Sequence, residues 1–170
     1  MSLNPAGICL QLLPFALPVS CLLISVGCNL LYMDSLNFSP GRAFLSSNSP
    51  AVPWTVVFED EGPAGYFYAC DRSQETQEAS ILDAMLIYNG AALDDRSRER
   101  LASIQWSRDG QQAVLYLDGS AQALANFSTK QSFCRSNFPN FLEGQGETWR
   151  KNSHAWDEEA IRRFEAAIYE

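Results

Sequence analysis

The distribution of charge constrains the fold of this chain more than any other feature, because the first charged residue is Asp34. All twelve Lys and Arg and all twenty Asp and Glu lie from there onward, and the formal net charge is −8. The chain therefore divides into an uncharged hydrophobic leader, residues 1–33, and an acidic remainder. In the remainder we expect a Ser-, Pro- and Asn-rich linker or irregular arm, residues 34–53, followed by a single domain, residues 54–170.

The leader has several interpretations. As a helix, residues 8–33 would extend about 39 Å at ~1.5 Å per residue, enough to cross a bilayer core of roughly 30 Å. Pro14 and Pro18 would interrupt that helix, and the absence of Lys and Arg argues against a secretory signal. A lipoprotein signal, with Cys28 as the acylated residue, is a further alternative, and the residues before Cys28 match its pattern in part. Alternatively, translation begins at Met33. A retained leader predicts a membrane-anchored protein, and its absence predicts a cytoplasmic one.

The acidic balance restricts the partners. Nucleic-acid binding needs clustered Lys and Arg, and so does docking on anionic lipid headgroups. Negative charge suits solubility or a basic protein partner. We therefore expect no nucleic acid, and a membrane only if the leader is retained.

The cysteines indicate a reducing compartment. Only Cys70 and Cys134 lie outside the leader, and neither belongs to a CxxC or Cys/His metal-binding spacing. A bridge between them would require an exported protein. We expect no bound metal and no cofactor.

Hydrophobic patterns predict antiparallel strands. Residues 54–59 alternate with period 2 and residues 66–70 return after a turn, which indicates a hairpin. Residues 81–88 are short and end at a turn signal, so we assign them to a strand. Residues 103–107 and 113–118 form a second predicted hairpin, with Asp109-Gly110 expected in a type I′ turn between them. Residues 121–127 follow and complete a three-stranded meander.

The C-terminus predicts a helix. Asp157 can cap it, with two glutamates in the first turn, and Trp156 can pack on Ile161 as a hydrophobic staple. Ile161, Phe164 and Ile168 give one apolar face. The sequence thus predicts an α+β fold: an antiparallel β-sheet of about five or six strands with a C-terminal α-helix packed on one face.

Several strings resemble one bacterial family. They are VVFEDEG at 56–62, GYFYA at 65–69, ILDA at 81–84, IQWS at 104–107 and CRSNFP at 134–139. Together they resemble the family catalogued as domain of unknown function 2251, over roughly residues 38–139. The resemblance implies a bacterial, cytosolic single domain and transfers no activity.

Two groups of residues are candidate sites. Glu59, Asp60 and Glu61 form a carboxylate cluster at a turn, which suits a divalent cation or a basic partner but is also typical of a solvated turn.

The second group centres on Asp83, which shares a face with apolar residues if its segment is a strand. A buried carboxylate needs a partner, for which Arg135 is a candidate, and perturbed carboxylates also occur at active sites. Cys134 beside Arg135 would be a low-pKa thiol. A Cys134/His154 pair is a further alternative, although we expect His154 to cap a helix or lie at the surface.

These observations favour a small acidic, non-enzymatic protein-binding module. A toxin-neutralising immunity protein is its concrete form, since such proteins are often small, acidic and without catalytic residues. The alternatives are a small-ligand-binding protein or enzyme with a pocket near Asp83 and Arg135, or a membrane-tethered domain. An enzyme needs polar groups converging in a cavity, whereas a binding module needs an exposed acidic or aromatic patch.

Overall fold

A computed structural model describes residues 32–73, 81–89, 98–138, 149 and 153–169 of the 170-residue chain. Within these ranges the chain forms nine strands and one helix. They are β1 (Met33–Phe38), β2 (Ala43–Asn48), β3 (Trp54–Asp60), β4 (Ala64–Asp71), β5 (Ile81–Asn89), β6 (Arg100–Trp106), β7 (Gln112–Leu117), β8 (Ser120–Asn126), β9 (Gln131–Cys134) and α1 (Glu158–Tyr169).

The strands form two antiparallel sheets. One has five strands in the order β1-β6-β7-β8-β9, and the other has four in the order β2-β3-β4-β5. The sheets pack face to face because alternate residues on each are apolar, among them Phe58 and Phe67 on one sheet and Ile104 and Leu115 on the other. All four of these side chains are fully buried. This shared interior is the main hydrophobic core.

A second core lies on the opposite side of the five-stranded sheet. The apolar face of α1 packs there through Ile161, Phe164 and Ile168, against Val114 and Leu124. The layers are therefore α1, the five-stranded sheet and the four-stranded sheet. We call the remaining surface of the four-stranded sheet, which points away from both cores, the outer face. No described helix or strand lies over it.

The predicted fold class and most predicted elements are confirmed. The fold is α+β, with the expected hairpin (β3 and β4), the strand β5, the meander (β6 to β8) and the C-terminal helix. The expectation of a single sheet was wrong, since the strands divide between two.

The predicted linker over residues 34–53 was also wrong, because it contains most of β1 and all of β2. One serine of this segment is buried and finds its hydrogen-bond partners inside the sandwich. The hydroxyl of Ser47, 1% exposed, donates to the Asp34 carboxylate at 2.6 Å and accepts from the Trp106 indole N–H at 2.8 Å. A serine-rich composition therefore concealed a strand whose alternate residues, Leu45 and Ser47, are buried.

One turn was assigned to the wrong place. Only Gly110 has a positive φ, 69°, in the connection between β6 and β7, so Asp109-Gly110 is not a type I′ turn. That geometry occurs at the next turn, where Asp118 and Gly119 have φ of 50° and 78° and join β7 directly to β8.

Residues 1–31, which hold nearly all of the leader, lie outside the described residues. Over the part of the chain that the structure does describe, no helix has the length and apolarity needed to span a bilayer.

The helix cap gives a test of the fold. The Asp157 carboxylate accepts hydrogen bonds from the backbone N–H groups of Glu159 and Ala160 at 2.9 and 3.0 Å, as the sequence predicted. Asp157→Ala should lower the free energy of unfolding by about 1 kcal/mol, while Asp157→Asn, which can still cap, should change it much less. Urea denaturation of both variants measures the difference, and equal losses would contradict the capping role.

Candidate functional site

A carboxylate and an imidazole form a buried pair at one end of the sandwich. Asp83 in β5 and His154, just before α1, are both 0% exposed. The His154 Nε2 lies 3.0 Å from each carboxylate oxygen of Asp83. On the other side of the ring, Nδ1 lies 2.9 Å from the carbonyl oxygen of Phe138. Residues 71 positions apart are thus joined inside the protein.

The hydrogen-bond pattern fixes where protons lie on this pair. A carbonyl oxygen can only accept, so the Nδ1 of His154 carries a hydrogen. A second proton lies between Nε2 and the Asp83 carboxylate, because two lone pairs facing each other would repel. Both ring nitrogens are therefore engaged, and His154 has no free nitrogen with which to take a proton from Cys134.

The backbone around His154 adds to this connection. His154 has a φ of 52°, in the left-handed region, and forms an isolated parallel bridge with Phe133. Its carbonyl oxygen accepts from the N–H of Cys134 at 3.1 Å. The arrangement fastens the chain before α1 to both sheets, which is a structural role.

The expected partner of Asp83 was wrong. Arg135 donates from Nε to the carbonyl of Ala121 at 2.6 Å, and its guanidinium lies 4.3 Å from the centre of the Trp156 ring. It also approaches the Glu158 carboxylate at 3.8 Å. Since neighbouring residues of a strand point to opposite faces, the inward-facing Cys134 directs Arg135 towards the α1 side of the sheet.

The Cys134 thiol is buried and lies 3.2 Å from the Ser136 hydroxyl, and Cys70 and Cys134 are both free, with no bridge between them. The position of His154 differs from expectation. His154 is neither a helix cap nor a surface residue. Its sequence neighbours, Ser153 and Ala155, are exposed and gave no signal of burial.

A double-mutant cycle tests this buried pair. His154→Asn tolerates the left-handed backbone but leaves the Asp83 carboxylate buried without the imidazole, so the free energy of unfolding should fall by about 3–5 kcal/mol. Adding Asp83→Asn removes the stranded charge, and the double variant should be more stable than the sum of the two single losses predicts. Strictly additive losses in chemical denaturation would show that the pair is not coupled.

The structure does not bring the carboxylates of Glu59, Asp60 and Glu61 together at the acidic turn. Asp60 is 1% exposed and points inward, where its two oxygens accept from the N–H groups of Gly41 and Gly62, each at 2.7 Å. Glu59 belongs to the outer face and Glu61 is exposed in the turn. The solvated-turn interpretation was therefore wrong for Asp60. Across the described ranges, no group of three or more His, Cys, Asp or Glu side chains could hold a metal ion.

The outer face is rich in aromatic and apolar side chains around Glu59. Strand pairing places Glu59 between Phe44 on β2 and Tyr66 on β4, with Leu86 next in the row on β5. The Tyr66 ring stacks on that of Tyr68, with centroids 5.9 Å apart. Phe44 is 47% exposed, so part of this row is accessible.

Charge on the outer face is poorly compensated. The Oε2 atom of Glu59 is shielded from solvent and has no hydrogen-bond partner among the described residues. Burial, and secondarily the negative charge of Glu61, raise the pKa of Glu59 above its ordinary value. Burial and the same two glutamates raise the pKa of Tyr68, and burial raises the pKa of Cys70 to about 12.

The raised pKa of Glu59 predicts a stabilising substitution. The folded state favours the neutral carboxyl, so the charged form is destabilising near pH 7. Glu59→Gln should raise the free energy of unfolding there by up to about 0.5 kcal/mol. The gain should shrink as the pH falls through the raised pKa towards the ordinary value of 4.5. Denaturation across this range measures it, with the exposed Glu99→Gln as control. A loss of stability at pH 7 would contradict the prediction.

Comparison with known proteins places the chain among bacterial relatives. The model of the family described as "Uncharacterized protein conserved in bacteria (DUF2251)" matches residues 38–165. A curated "Uncharacterized protein" of Haemophilus influenzae (strain ATCC 51907 / DSM 11121 / KW20 / Rd) is 31% identical over 86 residues. That alignment covers 51% of this chain and 52% of the relative, so the chain spans about half the length of that protein. No solved structure matches.

Proposed function

The chain belongs to the bacterial family DUF2251, and we propose that it is a non-enzymatic module that binds a basic protein partner on its outer face. An immunity-type protein, which neutralises a basic toxin, is the concrete form of this proposal. The observation that carries it is the row of Phe44, Glu59 and Tyr66, which combines accessible aromatic area with an uncompensated carboxylate.

The composition of the outer face supports this function. Exposed aromatic side chains are typical anchors of protein interfaces, because they bury large areas at little conformational cost. The net charge of −8 would accelerate the approach of a basic partner. A module of this kind needs only a rigid surface, which the paired strands β2 to β5 provide.

The alternative site near Asp83 and Arg135 is less well supported. The Asp83 carboxylate is bonded to His154 inside the protein, whereas the Arg135 guanidinium lies against Trp156 at the start of α1. The two groups therefore do not converge on a common ligand. The membrane-tethered alternative depends on residues 8–33, which are almost entirely outside the described ranges.

Partner capture by matched variants tests the proposal. The tagged full chain, Phe44→Ala and Leu101→Ala would be incubated with lysate of the source cells. Phe44 and Leu101 are similarly exposed, at 47% and 43%, but Leu101 lies on the five-stranded sheet. We expect a basic protein that is retained by the wild type and by Leu101→Ala, released at high salt, and bound at least about tenfold more weakly by Phe44→Ala.

Two results would overturn the proposed function. One is that no protein is retained at low salt. The other is that Phe44→Ala retains its protein as well as Leu101→Ala does, because the outer face would then not be the docking surface.

A further inference from the structure

We propose that Glu59, together with Phe44 and Tyr66, is the binding site for an arginine side chain of the protein partner. This inference rests on the proposed protein-binding function and names the chemical group that the outer face recognises. We call the three residues the Glu59 row.

The geometry of the Glu59 row fits a planar cation. Phe44 and Tyr66 are the direct cross-strand neighbours of Glu59, on β2 and β4. Adjacent strands lie about 4.8 Å apart, so the side chains of Phe44 and Tyr66 flank that of Glu59 within the sheet. A guanidinium can stack on such a ring while it donates to a carboxylate. The row therefore offers an arginine both kinds of contact at once.

The unsatisfied state of Glu59 supports the assignment. Its Oε2 atom is shielded and has no hydrogen-bond partner within the described part of the chain. Most shielded polar atoms in folded proteins are hydrogen-bonded, although the buried hydroxyl of Ser132 is a further exception among the described residues. Because Oε2 makes no hydrogen bond to the described residues, the Glu59 carboxylate can rotate to meet an N–H donor from a partner without losing one.

The surrounding charge points to a cation. Glu61 lies close enough to raise the pKa of Glu59. Among the described residues no Lys or Arg forms a salt bridge with either glutamate, and this includes Arg42 immediately before β2. Bound arginine would neutralise this charge and lower the pKa of Glu59 again.

Other occupants fit the Glu59 row less well. A divalent cation prefers several oxygen ligands, whereas this row supplies one carboxylate between two rings. The leader, residues 1–33, contains no Lys or Arg and cannot supply the cation. A second copy of this acidic chain would bring like charge to the same surface. A basic partner protein is the occupant that the charges favour.

Short peptides test the site without knowledge of the partner. Acetyl-Gly-Arg-Gly-amide would be titrated into the full-length protein, with the Tyr66 and Phe44 ring resonances followed by NMR. The matched probe is acetyl-Gly-citrulline-Gly-amide, which has nearly the same shape but no charge. We expect saturable shifts with the arginine peptide and at least about tenfold weaker binding of the citrulline peptide.

Two substitutions test whether binding of the arginine peptide depends on the carboxylate of Glu59. Glu59→Gln should weaken arginine-peptide binding at least about tenfold. Glu61→Gln, which makes the same charge change two residues away, should weaken it by less than about threefold. Loss of folding does not confound this comparison, because Glu59→Gln is expected to raise stability. Equal binding of the two peptides, or equal effects of the two substitutions, would overturn the inference.

The failure of this inference is distinct from the failure of the proposed function. A partner whose capture depends on Phe44 but not on Glu59 would leave the protein-binding function standing and overturn the arginine site alone. Self-association of the wild type that disappears in Glu59→Gln, measured by analytical ultracentrifugation, would also overturn it, because the occupant would then be a second copy.

Discussion

The face-to-face packing of two sheets is the constraint on which the rest of this structure depends. Each sheet must present apolar residues at alternate positions, and the burial of side chains such as Phe58 and Leu115 removes both inner faces from water. Each sheet is left with one further face. The helix α1 covers that of the five-stranded sheet. On the outer face of the four-stranded sheet Tyr68 is buried, whereas Phe44 is 47% exposed and remains accessible.

The same packing explains why buried polar side chains such as Ser47, Asp60 and Asp83 have hydrogen-bond partners inside the protein. A polar side chain inside a sandwich is costly unless it finds a partner there. Ser47 has Asp34 and Trp106, and Asp60 has two backbone N–H groups. Asp83 has His154. The shielded Oε2 of Glu59 has no such partner among the described residues, and neither has the hydroxyl of Ser132.

The sequence predicted those features that depend on local pattern. The β3–β4 hairpin, the β6–β8 meander and the capped helix α1 each follow from periodicity or turn residues within a short window. The division into two sheets could not be predicted in this way, because it depends on pairing between strands that are distant in sequence. The strand β2 was missed because its buried Ser47 is satisfied by a distant partner, Trp106. In the sequence Glu59 and Asp60 are adjacent carboxylates, but only the strand register shows that they point to opposite sides.

The buried pair of Asp83 and His154 has a consequence for the order of folding. Their contact closes a loop of 71 positions, whereas β6 to β8 pair across short turns. Contacts that close long loops carry a larger entropic cost, so local hairpins tend to form before them. Because His154 lies four residues before α1, docking of the helix and burial of the imidazole are coupled steps. We therefore view His154 and α1 as one cooperative unit, which joins the sandwich late and can detach from it before the two sheets separate.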